Sequence, residues 1–244
     1  MVDLPKKKVG IVSCSGEEMA EGTVTRLAAL KVLEQLRPAD TVTICLPLFL
    51  AGGKGDRAFA RFYPTISIDG CEKRCAARAT EMYSGKPAAS VVVTDLLAEH
   101  GLGKLEGARS LNAAGLQALD ATSQRVIELV DDLLGKHWNR LSGEFVEEDE
   151  QSEAQEPIDA TCSCGSGIPI QKVEINGQEV TLVALPLIFQ QFRAAGKTPT
   201  AATVRELLET IKIYNPVPVG EESAYAAALE REYAVYCQKQ EVAA

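Results

Sequence analysis

The chain has 244 residues, of which 46% are hydrophobic and 24% charged, a composition typical of a soluble globular protein with one large or two modest domains. Its apolar runs are shorter than the roughly 20 residues that a membrane-spanning helix needs, and residues 9–12 are too short for the core of a signal peptide. We therefore expect a cytoplasmic protein without a membrane segment, in which cysteine thiols stay reduced.

The net charge of −9 arises from one segment. Eight carboxylates lie within residues 144–159 without a single basic residue, and the rest of the chain is nearly neutral. Because like charges repel, such a segment stays extended and solvated. We predict a linker at 143–158 between a domain at 1–142 and another at 159–244; the alternative is a charged surface loop. No basic stripe with interleaved aromatic residues appears, which argues against nucleic-acid binding.

The first domain alternates short β runs with helical stretches, the pattern of an α/β fold with an open, mostly parallel sheet and flanking helices. Strands are predicted at 9–13, 41–45, 65–68 and 90–94. Helices are predicted at 23–36, 72–83 and 115–138.

The second domain has a different pattern, which predicts a smaller α+β fold made of a hairpin and helices. Asn176-Gly177 supplies the pair of positive φ angles that a type I′ turn requires, between strands at 172–175 and 179–185. Helices are predicted at 186–195, 201–213 and 221–239.

Four of the seven cysteines fall at the ends of predicted strands or at a helix start. Cys14, Cys45 and Cys71 end or follow three strands, and the carboxyl ends of parallel strands lie along one edge, where open α/β folds bind ligands. Cys75 is four residues beyond Cys71, so on a helix beginning near Glu72 both sulfurs face the same way. The positive end of that helix favours thiolate over thiol.

Four converging thiolates suit a tetrahedral zinc ion, and they suit an iron–sulfur cluster equally well. The spacing lacks the paired Cys-x-x-Cys knuckles of a zinc ribbon. For Cys45 alone, the alternative is a small buried residue at the end of an apolar strand. We expect Cys237, on the last helix, to belong to the core rather than to a metal site.

Two segments resemble the signatures of a known family, the DGC-motif zinc-binding proteins. They are Ile11-Val12-Ser13-Cys14-Ser15-Gly16 and Ile68-Asp69-Gly70-Cys71-Glu72-Lys73-Arg74-Cys75-Ala76. The resemblance covers about residues 7–100 and not the C-terminal half. It implies a metal bound by Cys14, Cys45, Cys71 and Cys75, and it leaves the reaction and the partner undefined.

A second thiol motif, Cys162-Ser163-Cys164, lies just beyond the predicted linker and is followed by a Gly/Ser-rich turn. Two cysteines one residue apart can reach a common ion. The motif is therefore a candidate for a second site, or for a part of the first site, and the alternative is an exposed turn with incidental cysteines.

Other patterns point to weaker candidates. A phosphatase loop of the Cys-x5-Arg type would need arginine where the chain has Ala20. Residues 52–55 contain three glycines and a lysine but lack the spacing of a phosphate-binding loop, so we expect a mobile loop there. His100 and His137 are expected at the surface or as helix caps.

Asp69 has three candidate roles. It can accept hydrogen bonds from its own turn, orient the surroundings of a ligand sulfur, or act as a base. Asp95 ends a predicted strand at the same edge. Neither residue forms a recognisable acid/base pair, and the substrate class is not identified by the sequence.

The leading hypothesis is a metal-binding protein that holds zinc through cysteine thiolates and acts as an accessory, carrier or sensor component, with another protein as its partner. One alternative is an iron–sulfur accessory protein for the assembly or activation of a larger metalloenzyme, which the Cys162/Cys164 pair favours slightly. The other is a thiol redox enzyme, in which Cys14 or Cys71 is the nucleophile and Cys75 resolves it as a disulfide.

Overall fold

Four short strands form a parallel sheet in the order β2-β1-β3-β4: β1 (Val9–Ser13), β2 (Thr41–Thr43), β3 (Thr65–Asp69) and β4 (Ala89–Val92). The computed structural model describes residues 7–14, 16, 18–146 and 168–242. Strand β1 pairs with β2 from Val9↔Thr41 and with β3 from Gly10↔Thr65, so it lies inside the sheet. A parallel strand that is covered on both faces has a continuous run of apolar residues in its sequence, and β1 has such a run.

Helices connect and cover these strands. They are α1 (Ala20–Lys31), extended by a π-helical turn at Val32–Leu36, α2 (Pro47–Ala51), α3 (Lys54–Arg57), α4 (Phe59–Phe62), α5 (Cys75–Tyr83), α6 (Val93–His100) and α7 (Ala113–Leu134). A pair of two-residue strands follows, β5 (Trp138–Asn139) and β6 (Glu144–Phe145), which are antiparallel.

The sheet carries an apolar core on each face. On one face, Ile11, Ile66 and Ile68 pack with Val126 and Val130 of α7. Another cluster joins Val12, Ile44, Phe49, Phe59 and Ala76, with the Cys14 side chain packed against it. Each fully buried aliphatic side chain stabilises the fold by about 1.5–3 kcal/mol, so these clusters hold the helices against the sheet.

The described residues divide into two compact units, one within Lys7–Gly167 and one within Ile168–Ala244. The second unit contains a hairpin of β7 (Ile170–Ile175) and β8 (Gln178–Val183) and three helices, α8 (Leu185–Ala194), α9 (Ala201–Lys212) and α10 (Glu222–Val242). Its core includes Phe189, Phe192 and Tyr233. The Tyr233 hydroxyl donates a 2.7 Å hydrogen bond to the Lys197 carbonyl.

The predicted fold class is confirmed: a parallel sheet with flanking helices, followed by an antiparallel hairpin and helices. The hairpin turn has positive φ at Asn176 and Gly177, as the type I′ prediction requires. The domain boundaries stay a prediction, since residues 147–158 of the expected linker lie outside the described residues. Within the described part of the chain, no helix has both the length and the apolar character that crossing a bilayer requires.

Several element boundaries differ from the prediction. Helix α5 begins at Cys75 rather than near Glu72, and the predicted strand at 90–94 stops at Val92, where α6 begins. The expected loop at residues 52–55 is the junction of two short helices, in which the Asp56 carboxylate accepts a hydrogen bond from the Gly53 amide at 2.8 Å. Helix α5 begins where the Asp69 carboxylate accepts hydrogen bonds from the Ala76 and Ala77 amides.

Candidate metal site at the carboxyl edge of the sheet

Three of the predicted cysteines follow adjacent strands at the same edge of the sheet. Cys14 comes directly after β1, Cys45 lies two residues beyond β2, and Cys71 lies two residues beyond β3. Because β1 lies between β2 and β3, Cys14 occupies the middle of this row. The topology thus places these three cysteines as the strand pattern predicts.

Cys14 has a defined polar environment. Its sulfur accepts a hydrogen bond from the Gly70 amide at 3.3 Å and lies 3.7 Å from the Thr25 hydroxyl oxygen. The Thr25 hydroxyl donates to the Gly22 carbonyl at 2.8 Å, so a protonated Cys14 would be the donor toward Thr25. An amide donor stabilises negative charge on sulfur, which suits a metal ligand or a nucleophile.

The Asp69 carboxylate connects the end of β3 to the start of α5. It is 1% exposed and accepts hydrogen bonds from the Ala76 amide at 2.7 Å and the Ala77 amide at 3.0 Å. These are first-turn amides that the helix itself leaves without a partner. Asp69 therefore accepts hydrogen bonds, as one of its predicted roles requires, but the donors belong to the next helix rather than to its own turn.

The charge of Asp69 is partly compensated. Burial raises the pKa of this carboxyl above its usual value, and this is the largest effect. The hydrogen bonds from Ala76 and Ala77 and the positive charges of Arg74 and Arg78 act in the opposite direction and offset only part of it.

Glycine at position 70 allows the turn after β3 to approach α1 closely. A Cβ at Gly70 would lie 3.2 Å from backbone atoms of Glu21 and Gly22. At Gly22, a Cβ would lie 2.1 Å from the Gly16 carbonyl oxygen, so the loop after β1 also lies directly on this helix. These approaches bring the loops that carry Cys14 and Cys71 together against the first turn of α1.

Cys71 and Cys75 lie on either side of a tight turn. The Arg74 amide donates to the Cys71 carbonyl at 3.1 Å, and Arg74 itself has a left-handed φ of 51°. Cys75 is the first residue of α5, so Cys71 precedes the helix. The expectation that both sulfurs lie on one helical face is therefore wrong, because the helix begins only where Asp69 can accept hydrogen bonds from its amides.

The two cysteines also differ in exposure. Cys71 is half-buried, whereas Cys75 is exposed at the positive end of α5. Cys45 is exposed as well, which contradicts the alternative that it is a buried apolar residue. Its neighbours Ile44 and Leu46 pack into the core in its place.

Within the described residues, the structure brings the surroundings of these cysteines together but does not form a closed site. Cys14 packs against a cluster that contains neighbours of Cys45 and Cys75, and it contacts the neighbour of Cys71. However, no group of three or more cysteine, histidine or acidic side chains in this part of the chain is arranged to hold a metal ion. Cysteine thiolates are suitable zinc ligands. In this arrangement, however, the cysteine side chains must move before three of them can bind the same ion.

The remaining candidates are less informative. Cys162 and Cys164 lie outside the described residues, and their assignment as a possible second site stays a prediction. His100 and His137 are exposed, as expected. Cys237 is half-buried on α10.

Three exposed cations close to Cys75 in the sequence are not among the predicted site residues: Lys73, Arg74 and Arg78. Their positions beside a candidate ligand are the signal that could have identified them. Glu72 and Arg74 also line a cleft of about 340 Å³ together with residues of β4, α6 and α7. Charges of both signs line this cleft, among them Asp95, Glu99 and Arg125.

Comparison with protein families gives one finding. Residues 10–112 match the family model described as DGC domain, which includes both signature segments and confirms the resemblance. Comparison with curated proteins and with solved structures gives no match.

Proposed function

Because the N-terminal half of this chain contains a DGC domain, we propose that it binds zinc through cysteine thiolates at the carboxyl edge of its sheet. In this proposal the protein works in the cytoplasm as an accessory, carrier or sensor component whose partner is another protein. The observation that carries the proposal is the placement of Cys14, Cys45 and Cys71 after three adjacent parallel strands.

The proposed ligands are Cys14, Cys45, Cys71 and Cys75. Cys14 is the best-positioned of them, since an amide donor and a packed core hold it in place. A zinc ion on such thiolates supplies a cross-link between segments or a Lewis acid. The chain's own residues supply the donors, the Gly70 amide that contacts one sulfur, and the positive charges near Cys75.

Exposure favours an exchanging role over a purely structural one. Structural zinc sites are closed, with four ligands from the protein. Here Cys45 and Cys75 are exposed, so a partner could reach two of the proposed ligands. This supports a carrier or sensor more than a fixed structural ion.

Elemental analysis of the protein purified without oxygen, together with an absorption spectrum, tests the proposal. We expect stoichiometric zinc without visible absorbance, and loss of zinc in the Cys71→Ser and Cys75→Ser variants. Cys237→Ser is the matched control, because Cys237 lies in the other compact unit. Metal-free wild-type protein, with both variants folding normally, would exclude zinc binding; visible absorbance and oxygen sensitivity would support the iron–sulfur alternative.

The hydrogen bond from Gly70 to Cys14 also supports the second candidate, a thiol redox enzyme. Alkylation separates the two functions. Metal ligands are protected until a chelator is added, whereas a catalytic thiolate reacts at once at neutral pH. Rapid modification of Cys14 in protein that retains its zinc would favour the enzyme.

A further inference from the structure

The cleft beside β4 has the size and the position of a small-molecule site. Its volume is about 340 Å³, and pockets for small ligands begin at about 300 Å³. Ser90, Val91 and Val92 of β4 line it, together with Glu72 and Arg74, which follow β3 at the carboxyl edge of the sheet. Open α/β folds bind ligands at this edge.

Charged side chains from three separate segments meet at this cleft. They are two guanidinium groups and three carboxylates: Glu72, Arg74, Asp95, Glu99 and Arg125. Asp95 and Glu99 are four positions apart on α6, so they lie on the same side of that helix. Arg125 belongs to α7, and Glu72 and Arg74 belong to the turn between β3 and α5.

These opposite charges do not neutralise one another. Within the described part of the chain, no ion pair joins two of the five charged lining residues. Arg125 instead pairs at 3.4 Å with Glu128 of its own helix, which does not line the cleft. A molecule bound in the cleft can therefore reach charges of both signs.

The mixture of charges selects the class of ligand. A ligand with only negative charge would meet three carboxylates, and a ligand with only positive charge would meet two guanidinium groups. A zwitterion that carries a carboxylate and an ammonium group can place each group near its opposite charge. A guanidinium group also binds a carboxylate through two parallel hydrogen bonds.

Two apolar residues complete the lining. Val91 is 4% exposed and Leu96 is 7% exposed, so both side chains belong mainly to the core and leave a small apolar surface at the cleft. Burial of an aliphatic group against this surface removes apolar area from water, which is favourable. The lining thus suits a zwitterion that also has an aliphatic side chain.

We propose that this cleft binds a free α-amino acid with an aliphatic side chain. The ligand carboxylate is bound by the two guanidinium groups, and the ligand ammonium group by the carboxylates of α6. This binding goes beyond the proposed zinc function and does not require a metal. Because Glu72 and Arg74 lie between Cys71 and Cys75 in the chain, the bound amino acid would contact the segment that carries two proposed zinc ligands.

Isothermal titration calorimetry of the metal-free, reduced full-length protein with L-leucine tests the proposal. Isoamylamine and isocaproate are the matched probes, since the first is leucine without its carboxylate and the second is leucine without its amino group. We expect saturable binding of L-leucine and about tenfold or weaker binding of each analogue, because each analogue loses one set of charge-assisted hydrogen bonds.

Two double variants assign the charges of the ligand to the residues of the cleft. Arg74→Gln/Arg125→Gln should bind L-leucine about tenfold or more weakly and should lose the preference for L-leucine over isoamylamine. Asp95→Asn/Glu99→Gln should be weakened to a similar extent and should lose the preference over isocaproate. A folding defect would not produce these two opposite patterns, and circular dichroism verifies the fold of each variant.

The matched controls are Lys31→Gln/Arg37→Gln and Asp120→Asn/Asp131→Asn, which remove the same numbers of charges from surface ion pairs outside the cleft. Both should bind L-leucine as the wild type does. Absence of saturable L-leucine binding, equal binding of the three compounds, or equal weakening in the controls would each overturn the proposal. Zinc content, measured separately, tests the proposed function, so either proposal can fail without the other.

Discussion

The Gly70 amide donates a hydrogen bond to the Cys14 sulfur at 3.3 Å and thereby joins the turn after β3 to the loop after β1. The three residues of the Asp-Gly-Cys motif thus have separate tasks in this structure. Asp69 binds the first turn of α5, Gly70 contacts Cys14 and allows α1 to approach, and Cys71 carries a thiol.

Replacing Gly70 by Ala should lower zinc affinity by about tenfold to a hundredfold, the usual cost of losing a partner of a metal ligand. The added Cβ lies 3.2 Å from Glu21 and Gly22 backbone atoms, so the turn must shift and the bond to Cys14 lengthens. Competition with a chromophoric chelator measures the affinity. Gly53→Ala is the control, since a Cβ there meets nothing within 4 Å; an equal loss in both variants would contradict the role of Gly70.

Replacing Asp69 by Ala should lower the free energy of unfolding by about 2–3 kcal/mol. The change leaves the Ala76 and Ala77 amides without an acceptor, and unpaired buried donors are costly. Urea denaturation measures the loss. Asn112→Ala, which removes the N-cap bond to the Gly115 amide, should cost about 1 kcal/mol, and an Asp69 effect no larger than this would count against the buried network.

The ionisation of Asp69 should make stability depend on pH. Because burial raises the folded-state pKa above the usual 3.8, the contribution of this group to the free energy of unfolding is full below that value. It declines as the pH rises through the folded-state pKa. The stability of the wild type relative to Asp69→Asn should therefore fall as the pH rises from about 4, and urea titrations of both proteins at several pH values measure it; a rising difference would show a lowered pKa instead.

Among the cysteine variants, Cys14→Ser should lose the most zinc affinity and Cys45→Ser the least. Cys14 is the ligand held in place before binding, whereas exposed Cys45 must become ordered and its contribution is correspondingly smaller. Titration of each variant with zinc in the presence of a competing chelator gives the order. The reverse order of affinities would show that the zinc site is not centred on the residue that follows β1.

Replacing Asn215 by Ala should destabilise the second unit without changing zinc binding. Its side chain accepts from the Val183 amide at 2.8 Å and donates to the Val183 carbonyl at 3.1 Å, which satisfies the edge of β8. Loss of this buried residue should cost about 1–3 kcal/mol of unfolding free energy. Thermal denaturation and zinc content measure the two effects, and a loss of zinc would show that the units are coupled.

The sequence predicts those features that depend on local patterns. Apolar runs predict β1 and β3, and with them the edge on which Cys14 and Cys71 lie. The Asn176-Gly177 pair predicts the hairpin because two residues with positive φ specify the turn.

Features that no local residue pattern signals are not predictable in this way. The start of α5 is set by a carboxylate six residues before Cys75, and the left-handed Arg74 has no glycine to indicate it. Thr25 approaches Cys14 only because α1 packs beside β1. Strand β2 ends at Thr43, and Cys45, two residues beyond it, is exposed. The residues of the run 41–45 contain no signal that the strand ends there.

Because β1 lies inside the sheet, the local unfolding that exposes the Cys14 amide to solvent costs more free energy than the unfolding that exposes the Cys75 amide. The Cys14 amide donates to the Ile68 carbonyl at 2.9 Å, so its hydrogen exchanges with solvent deuterium only when the central strands separate. The Cys75 amide lies at the first residue of α5, whose side chain is exposed, and it exchanges through local fraying of the helix end. A ligand that joins the two cysteines would therefore slow exchange mainly at the start of α5.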